Sequence, residues 1–223
     1  MSNRSTTIFL VRHAETEWNA ARRFQGHLDS ELTEVGAAQA ELLAARLELE
    51  GIAAVYSSDQ GRALRTADAI AGRLGLTVVP TPALREIDCG KWTGLSYDEV
   101  RSLWPADHET WTSRPDLHLM PGGESVRGVQ ERAMAFLAEI HRAHPGTKVC
   151  AVSHNTAVRA VACRLMGWGL ERLWEGPRQP NCAINRIEIT EGAIELVTVG
   201  DAGHLGGARA SAVSFQPSRD GVV

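Results

Sequence analysis

Four short apolar runs, at residues 8–11, 53–56, 77–79 and 149–152, recur along this chain without the in-out alternation of a half-solvated strand. Such runs suit strands buried on both faces, the condition of a mainly parallel sheet. Burial on both faces requires helices above and below, and the intervening sequence provides them. Val35, Ala38, Leu42, Ala45 and Leu49 keep helical spacing, and Val126, Val129, Ala133, Phe136, Leu137 and Ile140 do so again. Thr33 is placed to cap the first helix, Gly75 to close one that follows Arg62, and Pro145-Gly146 to end the last. Strand and helix in alternation predict an α/β fold: a three-layer sandwich with a mainly parallel central sheet flanked by helices.

With 223 residues, 43% of them hydrophobic, the chain is long enough for one well-buried core, and residues 1–223 read as a single domain. Residues 183–190 and 193–198 predict an antiparallel hairpin at the sheet edge. Residues 92–121 predict an insertion packed over the sheet, with one short helix at 97–104 and then Pro105, Pro115 and Pro121. The tail from about residue 206 is small and polar and is expected to be mobile. A net charge of -4 gives no general reason to bind nucleic acid or an anionic membrane, so any anion site has to be local. Cys89, Cys150, Cys163 and Cys182 have neither zinc-site spacing nor the density of a disulfide scaffold, and are expected as reduced, mostly buried thiols. The first apolar run stops at Arg12, which fits neither a signal peptide nor a membrane span, so a cytoplasmic location is expected. An exposed sheet edge leaves room for a homodimer.

In an open α/β sheet, ligands bind beyond the carboxyl ends of the strands. The first run ends in Arg12-His13, the second in Ser57-Ser58 with Arg62 shortly after, and the fourth in Ser153-His154. If these strands are parallel neighbours, two histidines and two arginines converge on one rim. Guanidinium groups grip phosphate oxygens as a fork, and a neutral imidazole attacks phosphorus with one ring nitrogen when the other is held by a hydrogen bond. A second, protonated histidine stabilises the equatorial oxygens. Glu86, where a loop leaves the run at 77–79, is the candidate acid for the leaving group, with Asp88 and Glu124 nearby. It needs a raised pKa to arrive protonated, and can afterwards activate water. Gly90-Lys91 lacks the glycine spacing of a P-loop, no cysteine has an arginine six residues later, and neither a serine elbow nor a His-Glu-x-x-His helix occurs. Histidine chemistry without metal or cofactor remains, acting on a small phosphorylated metabolite.

These residues resemble the histidine phosphatase superfamily, also called the phosphoglycerate mutase-like family, from residue 8 to about 205. The resemblance rests on Leu10-Val11-Arg12-His13-Ala14-Glu15-Thr16-Glu17-Trp18-Asn19, Phe24-Gln25-Gly26 and Tyr56-Ser57-Ser58-Asp59-Gln60-Gly61-Arg62-Ala63. Leu84-Arg85-Glu86, Pro121-Gly122-Gly123-Glu124-Ser125 and Val152-Ser153-His154-Asn155 follow in family order. It implies His13 as the phosphorylated nucleophile, Arg12, Arg62 and His154 as the phosphate pocket, and Glu86 as proton donor. Asn19, Gln25, Gly26 and Asn155 match positions that line the substrate pocket. Ala14 and Asn155 stand where the family often has glycine, which bears on pocket shape. The run Ile87-Asp88-Cys89-Gly90-Lys91-Trp92 resembles the phosphatase branch, whereas the mutases usually carry Arg-His-Tyr after the glutamate. The resemblance therefore implies a phosphomonoesterase. The alternatives are a 2,3-bisphosphoglycerate-dependent phosphoglycerate mutase and, in another class, an inactive phosphate-binding or scaffold protein. Trp92, Trp104, Trp111 and His118 form either a substrate-selecting wall or the insertion's own small core. His27, His108, His141 and His144 read as surface residues. Residues 201–205 resemble a tail segment that lies near the site in some phosphatases of the family.

Overall fold

The structure, a computed structural model, describes residues 5–208. Among these, six strands form one sheet: β1 (Thr6–Arg12), β2 (Ile52–Ser58), β3 (Val78–Thr81), β4 (Lys148–Ser153), β5 (Ile184–Ile189) and β6 (Ile194–Asp201). Their spatial order is β3-β2-β4-β1-β5-β6. The first four run parallel, and β5 and β6 add the expected antiparallel hairpin at one edge. The helices are α1 (Glu17–Ala20), α2 (Glu34–Glu48), α3 (Gly61–Leu74), α4 (Tyr97–Leu103), α5 (Pro105–Ser113), α6 (Val126–Ala143) and α7 (Asn155–Leu165). This is the α/β sandwich that the sequence predicts.

Every residue of β1 is buried, and its side chains divide between two layers. Phe9 and Val11 pack with Leu43 and Leu47 of α2 and Ile70 of α3. Ile8 and Leu10 pack with Leu137 and Ile140 of α6 and Val158 and Val161 of α7. Each fully buried aliphatic side chain contributes about 1.5–3 kcal/mol. The central pair β1 and β4 is therefore anchored from above and below. β3 departs from the expectation of burial on both faces. It is the outermost strand, with Val79 46% exposed, and an edge position also tolerates Pro80.

The apolar stripe read into α2 is also displaced. Thr33 caps it as expected, through its hydroxyl and the Gly36 N–H. The buried face, however, is Gly36, Gln39, Ala40, Leu43, Ala44 and Leu47, while Ala38, Leu42 and Leu49 face outward. Two apolar stripes lie side by side on this alanine- and leucine-rich helix, and spacing alone does not choose between them. Gly75 closes α3 with φ at 66°, and the cap of α6 falls at His144 just before Pro145.

The insertion holds two helices where the sequence predicts one. Pro105 opens α5 from its first turn, a position where its missing N–H costs nothing. Trp92, Val100, Trp111 and Met120 of the insertion share a core with Val126 and Val129 of α6 and Ala157 and Ala160 of α7. The insertion is thus continuous with the helical layer beneath it. The four cysteines are buried and unbridged. No helix among the described residues is long and apolar enough to cross a membrane. A short turn at Gly203–Ala208 packs Leu205 into the core that holds Ala14. The rest of the tail expected to be mobile lies outside the described residues.

Two helical glycines make opposite predictions. Gly72 of α3 has open space where a Cβ would stand, whereas a Cβ on Gly36 would collide with the Glu15 carbonyl. Gly72→Ala is expected to raise stability by about 0.5–1 kcal/mol through backbone entropy. Gly36→Ala is expected to lower it, because α2 must move off the loop after β1. Urea denaturation of both variants checks the pair; a stabilised Gly36→Ala contradicts the packing described.

Candidate active site

Arg12 is the last residue of β1 and pairs with Ser153, the last of β4. The residues that follow, His13 and His154, consequently emerge side by side at the carboxyl rim, with ring centroids 5.0 Å apart. The His13 N–H donates to the Ser153 carbonyl at 2.9 Å, which extends the ladder one residue beyond the strands. β2 flanks β4, and its end leads into α3, whose first turn carries Arg62. The chain beyond β3 brings Glu86 to the same rim. These residues surround an open cleft lined by Arg12, His13, Arg62, Glu86, Asn19, Gln25, Gly26 and Asn155. Of the nine residues predicted from the sequence, His154 alone stands behind the lining, against the His13 ring.

His13 is held in one tautomer. Its Nδ1 lies 2.7 Å from the Ala14 carbonyl, which only accepts, so Nδ1 carries the proton and Nε2 keeps its lone pair. Burial, with Arg62 and Arg12 adding repulsion, holds the ring well below the ordinary imidazole pKa. It is a neutral base at physiological pH. The surrounding backbone is fixed: the His13 carbonyl accepts from Asn181 Nδ2 at 2.9 Å, and the Ala14 N–H donates to Thr66 Oγ1 at 3.0 Å. The Thr66 hydroxyl then donates to the Arg62 carbonyl at 2.9 Å, which ties the His13 loop to α3.

The cationic side of the cleft is buried. Arg12 is 3% exposed and donates to the Gln179 carbonyl at 2.6 Å. No carboxylate lies within ion-pair distance of it among the described residues. Arg62 is 1% exposed and donates to the Gly26 carbonyl at 2.9 Å, the Leu28 carbonyl at 2.7 Å and Asp29 at 2.8 Å. Burial lowers the pKa of both guanidinium groups. The Nε of each, and both ring nitrogens of His154, have no hydrogen-bond partner among the described residues. Burying such groups is costly unless they meet acceptors, and a phosphoryl group supplies several on one centre. His154 is also held well below the ordinary imidazole pKa, by burial first and then by Arg62.

Glu86 is the one of the three candidate carboxylates that reaches the cleft. Its Oε1 accepts from the Ile87 N–H at 2.8 Å and its Oε2 from the Thr156 N–H at 3.3 Å, at the start of α7. Glu124 is occupied by the Asp88 N–H at 3.0 Å and Arg132 at 3.1 Å, and Asp88 accepts from the Gly90 N–H at 2.9 Å. Gly26 contributes main chain. Its φ is +51°, and a Cβ would lie 2.9 Å from the Cys89 nitrogen. Asn19 and Asn155 present amides already held on one side, by Asn181 at 3.2 Å and Arg159 at 3.2 Å respectively.

Sequence reasoning missed much of the outer wall. Arg23, Phe24, Ile87, Cys89, Tyr97, Thr156 and Trp174 also line the cleft. Trp174 follows α7 in a loop with no periodic signal, and its indole N–H donates to the Trp111 carbonyl at 2.8 Å. Of the four insertion residues, Trp111 joins the wall, while Trp92 and His118 stack at 5.0 Å inside the insertion's core. Trp104 packs against that core. His27 is not a bystander on the surface: its Nε2 lies 3.0 Å from the Glu86 carbonyl. Among the described residues no group of three or more His, Cys, Asp and Glu side chains is placed to hold a metal ion.

The model of the histidine phosphatase superfamily (branch 1) matches residues 8–202. The chain is 40% identical over 167 residues to phosphoserine phosphatase 1 of Hydrogenobacter thermophilus, covering 75% of this chain and 79% of that one. It is 37% identical over 210 residues to the probable phosphoglycerate mutase GpmB of Yersinia pestis, covering 89% and 94%. The solved structure of Bacillus stearothermophilus YhfR superposes with a TM-score of 0.87 at 35% identity, over 90% of this chain and 99% of that one.

The buried imidazoles predict a pH dependence of stability. An unfolded histidine takes up its proton near pH 6.5, whereas folded His13 and His154 resist doing so until lower pH. The unfolded state therefore binds more protons below about pH 6.5, and stability falls as pH falls through that range. The urea midpoint is expected to drop between pH 7.5 and 5.5, and to drop less in His154→Asn. An equal drop in both proteins contradicts a neutral, buried His154.

Proposed function

The chain belongs to the histidine phosphatase superfamily, and from that premise we propose that it is a metal-independent phosphomonoesterase. It hydrolyses small phosphorylated metabolites through a phosphohistidine on His13. The observation that carries this reading is the His13 ring, with its Nδ1 proton held by Ala14 and its Nε2 lone pair left free beside two buried guanidinium groups.

In the first half-reaction, Nε2 forms a bond to phosphorus as the ester P–O bond breaks, and Glu86 gives its proton to the departing oxygen. Arg12, Arg62 and His154 hold the three equatorial oxygens, where charge gathers in a loose transition state. Burial first, and then the repulsion of Arg62, keeps His154 neutral; a dianion beside the ring favours its charged form, so substrate binding and protonation of His154 reinforce each other. In the second, the Glu86 carboxylate takes a proton from water, whose oxygen attacks phosphorus and breaks the P–N bond. Inorganic phosphate leaves, and His13 is restored.

Hydrolysis is favoured over mutase transfer by the distribution of charge. A bisphosphorylated intermediate brings a second dianion, which needs its own cations. Beyond Arg12 and Arg62, the described lining holds Arg23, and this donates to the Gly94 carbonyl at 2.7 Å and pairs with Glu99 at 3.3 Å. Ile87 and Cys89, after the acid, give an apolar floor. The similarity to a phosphoserine phosphatase makes phosphoserine a first candidate substrate.

Purified protein is expected to release inorganic phosphate from p-nitrophenyl phosphate and from at least one of phosphoserine and 3-phosphoglycerate. His13→Asn is expected to lose at least about a thousandfold in kcat. Rapid formation of 2-phosphoglycerate with negligible phosphate release overturns the hydrolase reading in favour of the mutase. Absence of turnover on any phosphomonoester supports a binding or scaffold protein instead.

A further inference from the structure

Gln60 occupies the N-cap position of α3, yet its side chain makes no cap bond. Residues chosen for that position normally spend their side chain on the helix's first amides. Gln60, only 5% exposed, spends its amide across the cleft's floor. Its Oε1 accepts from the Glu86 N–H at 2.8 Å, and its Nε2 donates to the Gly26 carbonyl at 2.7 Å. Reversing the amide would set donor against donor and acceptor against acceptor, so the network fixes its orientation.

The Gly26 carbonyl accepts a second bond, from Arg62 at 2.9 Å. Arg62 and Gln60 therefore share one oxygen, and Gln60 links that oxygen to the backbone of Glu86. The opposite end of the Glu86 peptide is tied independently, since its carbonyl accepts from Arg132 at 2.9 Å and lies 3.0 Å from His27 Nε2. The N–H side rests on Gln60. Gln60 itself does not line the cleft, so it acts through the residues that do.

We propose that Gln60 is a positioning residue: its side-chain amide sets the distance between the phosphate grip at Arg62 and Gly26 and the acid at Glu86. This rests on Glu86 being the proton donor. The role concerns leaving-group departure more than phosphate binding, because a misplaced acid fails the oxygen that needs a proton while the arginines still hold the phosphoryl group. A rate ratio reads it. The p-nitrophenolate group departs without a proton, whereas the alkoxide of glycerol 2-phosphate needs one. Because kcat/KM ends at phosphoryl transfer to His13, it isolates that half-reaction.

The experiment compares kcat/KM on the two substrates for wild-type protein, Glu86→Gln, Gln60→Met and Gln60→Glu. Glu86→Gln is expected to lose far more on glycerol 2-phosphate than on p-nitrophenyl phosphate. Gln60→Met, which removes the hydrogen bonds to Glu86 and Gly26 at nearly constant volume, is expected to show the same selectivity, with the ratio shifted by about tenfold or more. Gln60→Glu keeps the acceptor for the Glu86 N–H and loses the donor to Gly26. Its ratio is expected to shift less, and its added negative charge to move the basic limb of the glycerol 2-phosphate profile to higher pH. If Gln60→Met does not fold, Gln60→Glu decides through that limb. Equal losses on both substrates in Gln60→Met, or an unmoved limb in Gln60→Glu, overturn the positioning role while leaving Glu86 as acid. An absence of selectivity in Glu86→Gln overturns the assignment of the acid, and the role of Gln60 falls with it.

Discussion

The parallel register between β1 and β4 is the constraint on which the rest depends. Arg12 opposite Ser153 makes His13 opposite His154 unavoidable, and the two rings meet because their strands end together. A slip of one residue would turn Arg12 and His13 to the wrong sides of the sheet and exchange the faces of Ile8, Phe9, Leu10 and Val11. Each of those four side chains is buried in one of two separate layers. The packing that stabilises the sheet is therefore the same packing that aligns the chemistry at its rim.

Around that register the site concentrates positive charge in a chain whose net charge is -4. Arg12 has no carboxylate partner among the described residues, and Arg62 shares one with solvent. Burial, with their field added to it, keeps both imidazoles unprotonated. A nucleophile must be unprotonated and an oxyanion holder must be protonated, and the same surroundings impose neutrality on both until an anion arrives. The Ala14 carbonyl distinguishes the two rings by fixing the tautomer of His13, while neither nitrogen of His154 has a partner among the described residues. In the proposed mechanism the difference in role follows from one backbone acceptor.

Which parts of this were legible in the sequence follows from how local each signal is. Strand runs, caps and the residues beyond the strand ends are read within a few positions, and β1, β4, Thr33, Gly75, His13, His154 and Arg62 all fall where they were expected. The place of Glu86 after the third run and the resemblance put it ahead of Asp88 and Glu124, and in space it is the one of the three that lines the cleft, while Glu124 is paired with Arg132. The stripe of α2 was misplaced because its two apolar rows differ by one residue, and the choice between them belongs to the Glu15 carbonyl pressing on Gly36. Trp174, Asn181 and Gln60 act through long-range hydrogen bonds that no periodicity announces. His27 was read as surface because nothing nearby in sequence shows that the Glu86 carbonyl lies against it.

Attack by Nε2 of His13 is the central claim, and the position of the phosphoryl group on the ring tests it most directly. Protein mixed with substrate and quenched at alkaline pH preserves phosphohistidine for peptide mapping and phosphorus NMR. Phosphate on Nε2 of His13 is the predicted result, because Nδ1 is committed to the Ala14 carbonyl. Phosphate on Nδ1, on His154 or on any other residue contradicts it.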